Sequence, residues 1–145
     1  MAKYSEIRID EACLAALESF VSAMFKWEAQ YYAESIEGFS AVDVSDDLDQ
    51  RMRRDLKIIF ESHVIELGRN YERVENLICG YHPEYDLDND EVVALESEGG
   101  EVSVVITKTK GLRATFKITL GFVEGVCKVK RRELSSGNEW IETYI

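Results

Sequence analysis

The sequence is poor in several things, and each shortage excludes a class of protein. With a single proline and nine glycines in 145 residues, it is neither collagenous nor low-complexity. No stretch approaches the ~18 consecutive apolar residues that a bilayer-spanning helix needs, so no membrane association is expected. Met1 to Asp10 carries charges of both signs and lacks an apolar core with a cleavage site, which argues against an ordinary signal peptide. The three cysteines, Cys13, Cys79 and Cys127, are far apart and form no C-x-x-C pair. They read as reduced, packed thiols of a cytoplasmic protein rather than a disulfide framework or a zinc site. Basic side chains are outnumbered, 17 against 28 acidic ones, for a net charge of −11. Duplex nucleic acid is bound by neutralising phosphates with lysine and arginine, so nucleic acid is not an expected partner. Glycine-rich phosphate loops, G-x-S-x-G elbows and H-E-x-x-H motifs are missing as well. We expect no enzyme, no cofactor and no metal.

The apolar share of 46% and the charged share of 31% are those of a folded globular chain, and the length suits a single domain over 1–145. From Ile9 to about Ile36, Cys13, Leu14, Leu17, Phe20, Val21, Met24, Trp27, Tyr31 and Tyr32 recur at three- and four-residue spacings. At ~100° per residue they form one stripe of a helix, which Asp10 could cap and Gly38 could stop. A second helix is expected to open at Ser45 or Asp46, bury Leu48, Met52, Leu56, Ile59 and Phe60, and end between Phe60 and Gly68. Beyond Tyr71 the period becomes two. Strands are expected over 91–98, 101–109, 113–122, 126–134 and 139–145, with an earlier one around Val74 to Cys79. Glu98-Gly99-Gly100-Glu101 and Val123-Glu124-Gly125-Val126 are hairpin signals. Helices followed by an antiparallel meander predict an α+β fold, with the helices packed on one face of the sheet.

Few residues suggest chemistry. Glu28 is the one charge near the middle of the first helix's apolar stripe, where a carboxylate is costly unless paired. It is either an acid–base or ligand group in a cavity, together with Tyr31 or His63, or a structural glutamate bonded to a tyrosine hydroxyl, a histidine or an arginine from the sheet. Asp86-Leu87-Asp88-Asn89-Asp90 invites a calcium reading, but an EF-hand loop would need glycine and glutamate where Glu91 and Ser97 stand. From Val74 to Thr107 there are nine acids and no lysine or arginine, whereas Lys108 to Glu133 holds eight basic residues and two acids. Asp86, Asp88, Asp90, Glu91, Glu96, Glu98 and Glu101 are therefore candidates for a surface that docks a basic protein. Alternation would put Lys128, Lys130 and Arg132 together on one solvated strand face, opposite Cys127 and Val129.

Three elements taken together carry a resemblance. They are Trp27-Glu28 followed by Tyr31-Tyr32; Pro83-Glu84-Tyr85-Asp86 ahead of Glu91 to Glu96; and Val102 to Thr107, Phe116 to Phe122, the Glu124-Gly125 turn, Val126 to Val129 and Trp140. They resemble the bacterial immunity proteins of polymorphic toxin systems that have a nuclear transport factor 2-like fold. The segment from Glu61 to Gly80 matches no part of that pattern, and Cys127 stands where such folds often place a tryptophan. The resemblance implies a curved antiparallel sheet wrapped around helices as a cone, and binding and neutralisation of a cognate protein toxin, without catalysis. Many toxin domains are basic nucleases, which an acidic antagonist would suit. Two other readings compete: an isomerase- or dehydratase-type enzyme or ligand binder using the cone cavity around Glu28, and a homodimer-forming scaffold with no ligand.

Overall fold

A computed structural model describes residues 11–38, 45–77, 83–94, 99–110 and 113–145. Helix α1 spans Glu11–Gly38 and α2 spans Ser45–His63. A short α3, Glu72–Glu75, follows. Among the described residues five strands follow: β1 Glu91–Ala94, β2 Val102–Thr107, β3 Thr115–Val123, β4 Val126–Ser136 and β5 Glu139–Thr143. They form one antiparallel sheet in the order β1-β2-β3-β4-β5, the predicted meander, with the helices on one face. The positive φ angles of Gly99 (59°) and Gly100 (81°), and of Glu124 (50°) and Gly125 (80°), close the two hairpins that these dipeptides announced. Asp10 and the end of the 91–98 strand lie outside the described residues.

The core lies between α1, α2 and the inner sheet face. Leu17, Val21 and Met24 on α1, Leu56 and Phe60 on α2, and Phe116, Ile118 and Leu120 on β3 are all buried. Each such side chain contributes about 1.5–3 kcal/mol on leaving water. The Trp27 indole N–H donates to the Met52 carbonyl at 3.0 Å, pinning the two helices at the same level.

Two expectations need correction. Val74 and Glu75 belong to α3, not to a strand: among the described residues this stretch pairs with no strand and closes i→i+4 instead, Asn76 N–H donating to Glu72 O at 2.9 Å. Phe122 continues the alternation of β3, lies near the strand's end and is 48% exposed. The second correction matters more. Opposite β3, Thr119 faces Arg131 but Leu120 faces Val129, so Lys130 is an extra residue in β4. This β-bulge changes the parity of the strand. Cys127 and Val129 point inward before it, and Arg132 points inward after it. Lys128, Lys130 and Arg132 therefore do not share a face.

The segment after α2 secures the bulge. Val64 bridges to Val129, and Ile65 N–H donates to Val129 O at 2.8 Å. The buried Asn70 amide donates to Lys130 O at 2.7 Å and to Ile65 O at 2.8 Å. A carbonyl displaced from the sheet ladder thus gains a side-chain donor.

Candidate functional site

Glu28 is buried, as a charge in the apolar stripe of α1 must be, and it is met by groups from two other parts of the chain. Arg73 on α3 donates from Nη2 to Glu28 Oε1 at 3.1 Å. The backbone N–H of Glu84 donates to the same oxygen at 2.9 Å. The Glu84 carboxylate then bridges two guanidiniums, Arg73 Nη1 at 2.9 Å and Arg132 Nη2 at 2.8 Å. Two carboxylates and two guanidiniums balance in formal charge. The Arg73 side chain is fully buried and that of Arg132 only 4% exposed.

Aromatic faces line this cluster. The Arg73 guanidinium lies 5.5 Å from the Trp27 ring centroid; that of Arg132 lies 4.2 Å from Phe116 and 5.7 Å from Tyr85. Such stacking suits the planar, weakly hydrated guanidinium. Burial works against the Arg73 charge, but Glu84 and Glu28 together outweigh it and hold its pKa above the ordinary arginine value. The Tyr85 hydroxyl is enclosed with no hydrogen-bond partner among the described residues, and burial, more than Arg132 can offset, pushes its pKa up to about 12.

Tyr31 and His63, read with Glu28 as a polar cluster, have other surroundings. The Tyr31 hydroxyl donates to the Asp55 carboxylate on α2. Burial first, then that bond, pushes its pKa up to about 12. His63 ends α2 half-buried, its ring centroid 6.3 Å from that of Phe20. Burial, aided by the Lys128 charge, lowers its pKa. Among the described residues no hydrogen bond joins His63 to Glu28.

The acidic segment divides in a way that its spacing does not reveal. Asp90 is buried and bonded to Lys108 Nζ at 2.9 Å, and Lys108 also donates to Pro83 O at 2.9 Å. Burial raises the Asp90 pKa and Lys108 opposes that rise. The turn before it is closed by Asp90 N–H on Asp86 O at 2.8 Å and by Asp86 N–H on Asp90 Oδ2 at 3.1 Å. Asp88 and Glu91 are exposed and Asp86 is half-buried. Glu101 is half-buried and paired with Lys130 and with Arg131. Glu96 and Glu98 lie outside the described residues. Asp86, Leu87 and Asp88 face Glu18, Val21, Ser22 and Phe25 of α1 across a groove of about 190 Å³, rimmed by carboxylates over an apolar floor. Among the described residues, no three His, Cys, Asp or Glu side chains are placed to hold a metal ion.

Arg73 and Arg132 are the site residues that sequence reading missed. The signal for them was indirect: a carboxylate in an apolar stripe requires a cation, but nothing in the spacing says which of 17 it is.

A family model described as "NTF2 fold immunity protein" matches residues 13–143, which takes in all but the first two residues of α1, the whole of α2 and α3, the ion cluster and all five strands. No curated protein and no solved structure matches the chain.

Proposed function

The chain belongs to the NTF2-fold immunity protein family, and on that premise we propose that it binds and neutralises a cognate bacterial toxin domain by occluding the toxin's active surface. The family match over 13–143 carries this reading. We place the protein in the bacterial cytoplasm, within a polymorphic toxin system, where it would meet a toxin before harm is done. We read it as a binding protein and not an enzyme. In support, the Glu28 carboxylate, the natural candidate for proton transfer inside a cone, accepts from Arg73 and from a backbone N–H instead of facing His63.

For the contact surface we propose the groove between α1 and residues 86–88. A lysine or arginine of a basic toxin would lay its aliphatic stem on Phe25 and Leu87 and place its charge between Asp86 and Asp88. Phe25 is 38% exposed, an apolar surface left open beside carboxylates. Charge complementarity of this kind speeds encounter and fixes register more than it adds final affinity.

Co-expression with the toxin encoded beside it tests neutralisation directly: growth should be restored by the wild type. Association kinetics test the surface. The Asp88→Lys/Glu91→Lys/Glu18→Lys variant should associate at least about tenfold more slowly at low salt, and with a flatter salt dependence. Equal on-rates for wild type and variant at low salt would remove the groove from the interface while leaving the immunity function standing.

A further inference from the structure

The cysteines that sequence spacing separates are brought together by the fold. Cys13, in the first turns of α1, and Cys127, second residue of β4, lie 114 positions apart in sequence, yet their Sγ atoms are 2.6 Å apart. Unbonded carbons settle at ~3.5–4.0 Å and sulfur is larger, so this separation lies well inside packing distance. A disulfide needs ~2.05 Å, and the remaining gap is about half an ångström. Neither is in a disulfide here and both are buried, Cys13 completely and Cys127 to 7% exposure.

We infer that Cys13 and Cys127 are a disulfide-forming pair that, on oxidation by a peroxide, staples α1 to the start of β4. The bulge makes the pairing possible, because it lets Cys127 and Val129 face the helices while Arg132 also turns inward. Access comes from the hairpin end. Cys127 follows the Glu124-Gly125 turn, whose flanking Val123 and Val126 are 40% and 54% exposed. Opening of the last rungs there bares Cys127 without disturbing the ion cluster.

The chemistry balances with hydrogen peroxide as oxidant. The Cys127 sulfur attacks one peroxide oxygen; an S–O bond forms, the O–O bond breaks, and the departing hydroxide takes the thiol proton as water. The Cys13 sulfur then attacks the sulfenic sulfur; the S–S bond forms, the S–O bond breaks, and a second water leaves with the Cys13 proton. Two thiols are oxidised by two electrons and one peroxide is reduced to two waters. The loop closed is most of the chain, the case in which a cross-link restricts the unfolded ensemble most.

The test uses the wild-type protein, fully reduced and then exposed to hydrogen peroxide. Thiol titration in denaturant should fall from three to one. The intact mass should drop by about 2 Da. Non-reducing peptide mapping should join the peptides of Cys13 and Cys127, and the urea midpoint should rise and return on adding dithiothreitol. The Cys79→Ser variant, with two thiols falling to none, should behave alike. Three surviving thiols, a cross-link through Cys79, an intermolecular disulfide, or a sulfinic acid at Cys127 would each overturn the inference.

Discussion

Replacing Arg73 by methionine should be the most damaging single change in the interior that leaves packing volume nearly intact. Methionine keeps an unbranched stem against Trp27 but removes the guanidinium that Glu28 and Glu84 share. Glu28, its side chain 4% exposed, would retain the Glu84 N–H but lose its charged partner. Removing one member of a buried pair costs about 3–5 kcal/mol, because the other charge is left desolvated. Stacking on Trp27 adds about 0.5–2 kcal/mol to the loss. Arg132 stays on Glu84 and relieves part of the imbalance, so we expect about 3–4 kcal/mol in total. Against the ~5–15 kcal/mol that holds a domain together, this is a large share.

Urea denaturation measures it as a lowered midpoint with an unchanged slope. The decisive comparison is the Glu28→Gln/Arg73→Met double variant. If the damage is an uncompensated charge, neutralising Glu28 should restore at least ~1 kcal/mol, so that the double costs less than the sum of the singles. An Arg73→Met variant within ~1 kcal/mol of wild type, or a double that costs the full sum, would refute the reasoning. It would mean that the arginine acts through its stem alone.

Two further outcomes follow from the same geometry. Lys108→Met should cost about 3 kcal/mol by stranding the buried Asp90, and amide exchange should quicken over 83–90, the turn that this pair closes; unchanged protection there would show the turn to be held otherwise. His63 has a lowered pKa in the fold, so its contribution is complete above the unfolded value of ~6.5 and is lost as pH falls from there through the folded value. Thermal unfolding should therefore show wild type losing stability relative to His63→Gln on acidification from about pH 7.5 to 5; parallel curves would place the titration elsewhere.

Patterning carried most of the fold. The stripe on α1, the five β spans and the glycine turns depend on local period and turn chemistry, which a single sequence displays. Glu28 was legible for a related reason, because a carboxylate among Leu17, Met24, Trp27 and Tyr31 breaks its own pattern. Its partners were not legible. Arg73 sits on a helix of four residues, too short to display a period. Arg132 reads as one more cation on a polar strand face, and only the extra residue at Lys130 turns it inward. A bulge is a property of two strands in register, and nothing in β4 alone marks it. The acidic run failed differently: composition counted Asp90 and Glu101 with Asp88, although Lys108 and Lys130, contributed by later parts of the chain, hold the first two.

The interior cluster and the proposed groove are linked through one short stretch of chain. Glu84 is fixed by Arg73 and Arg132, Tyr85 is buried between Phe20 and Phe116, and Asp90 is tied to Lys108. Asp86, Leu87 and Asp88 therefore form the outer arc of a loop anchored at both ends by ion pairs. A loop held in this way loses little conformational entropy when a partner docks on it, and that saving appears as affinity. Buried ion pairs are weak contributors to stability and are better suited to fixing one arrangement over others. On the proposed function, the charges inside the fold would thus act on recognition outside it. Arg132→Met leaves every groove residue in place, yet it removes one of the two guanidiniums that hold Glu84, the loop's first anchor, and so loosens it. It should speed toxin dissociation with little change in on-rate, since on-rate follows the surface field and residence follows the fit. Dissociation at the wild-type rate from a folded Arg132→Met variant would separate the cluster from recognition and leave it a purely structural feature.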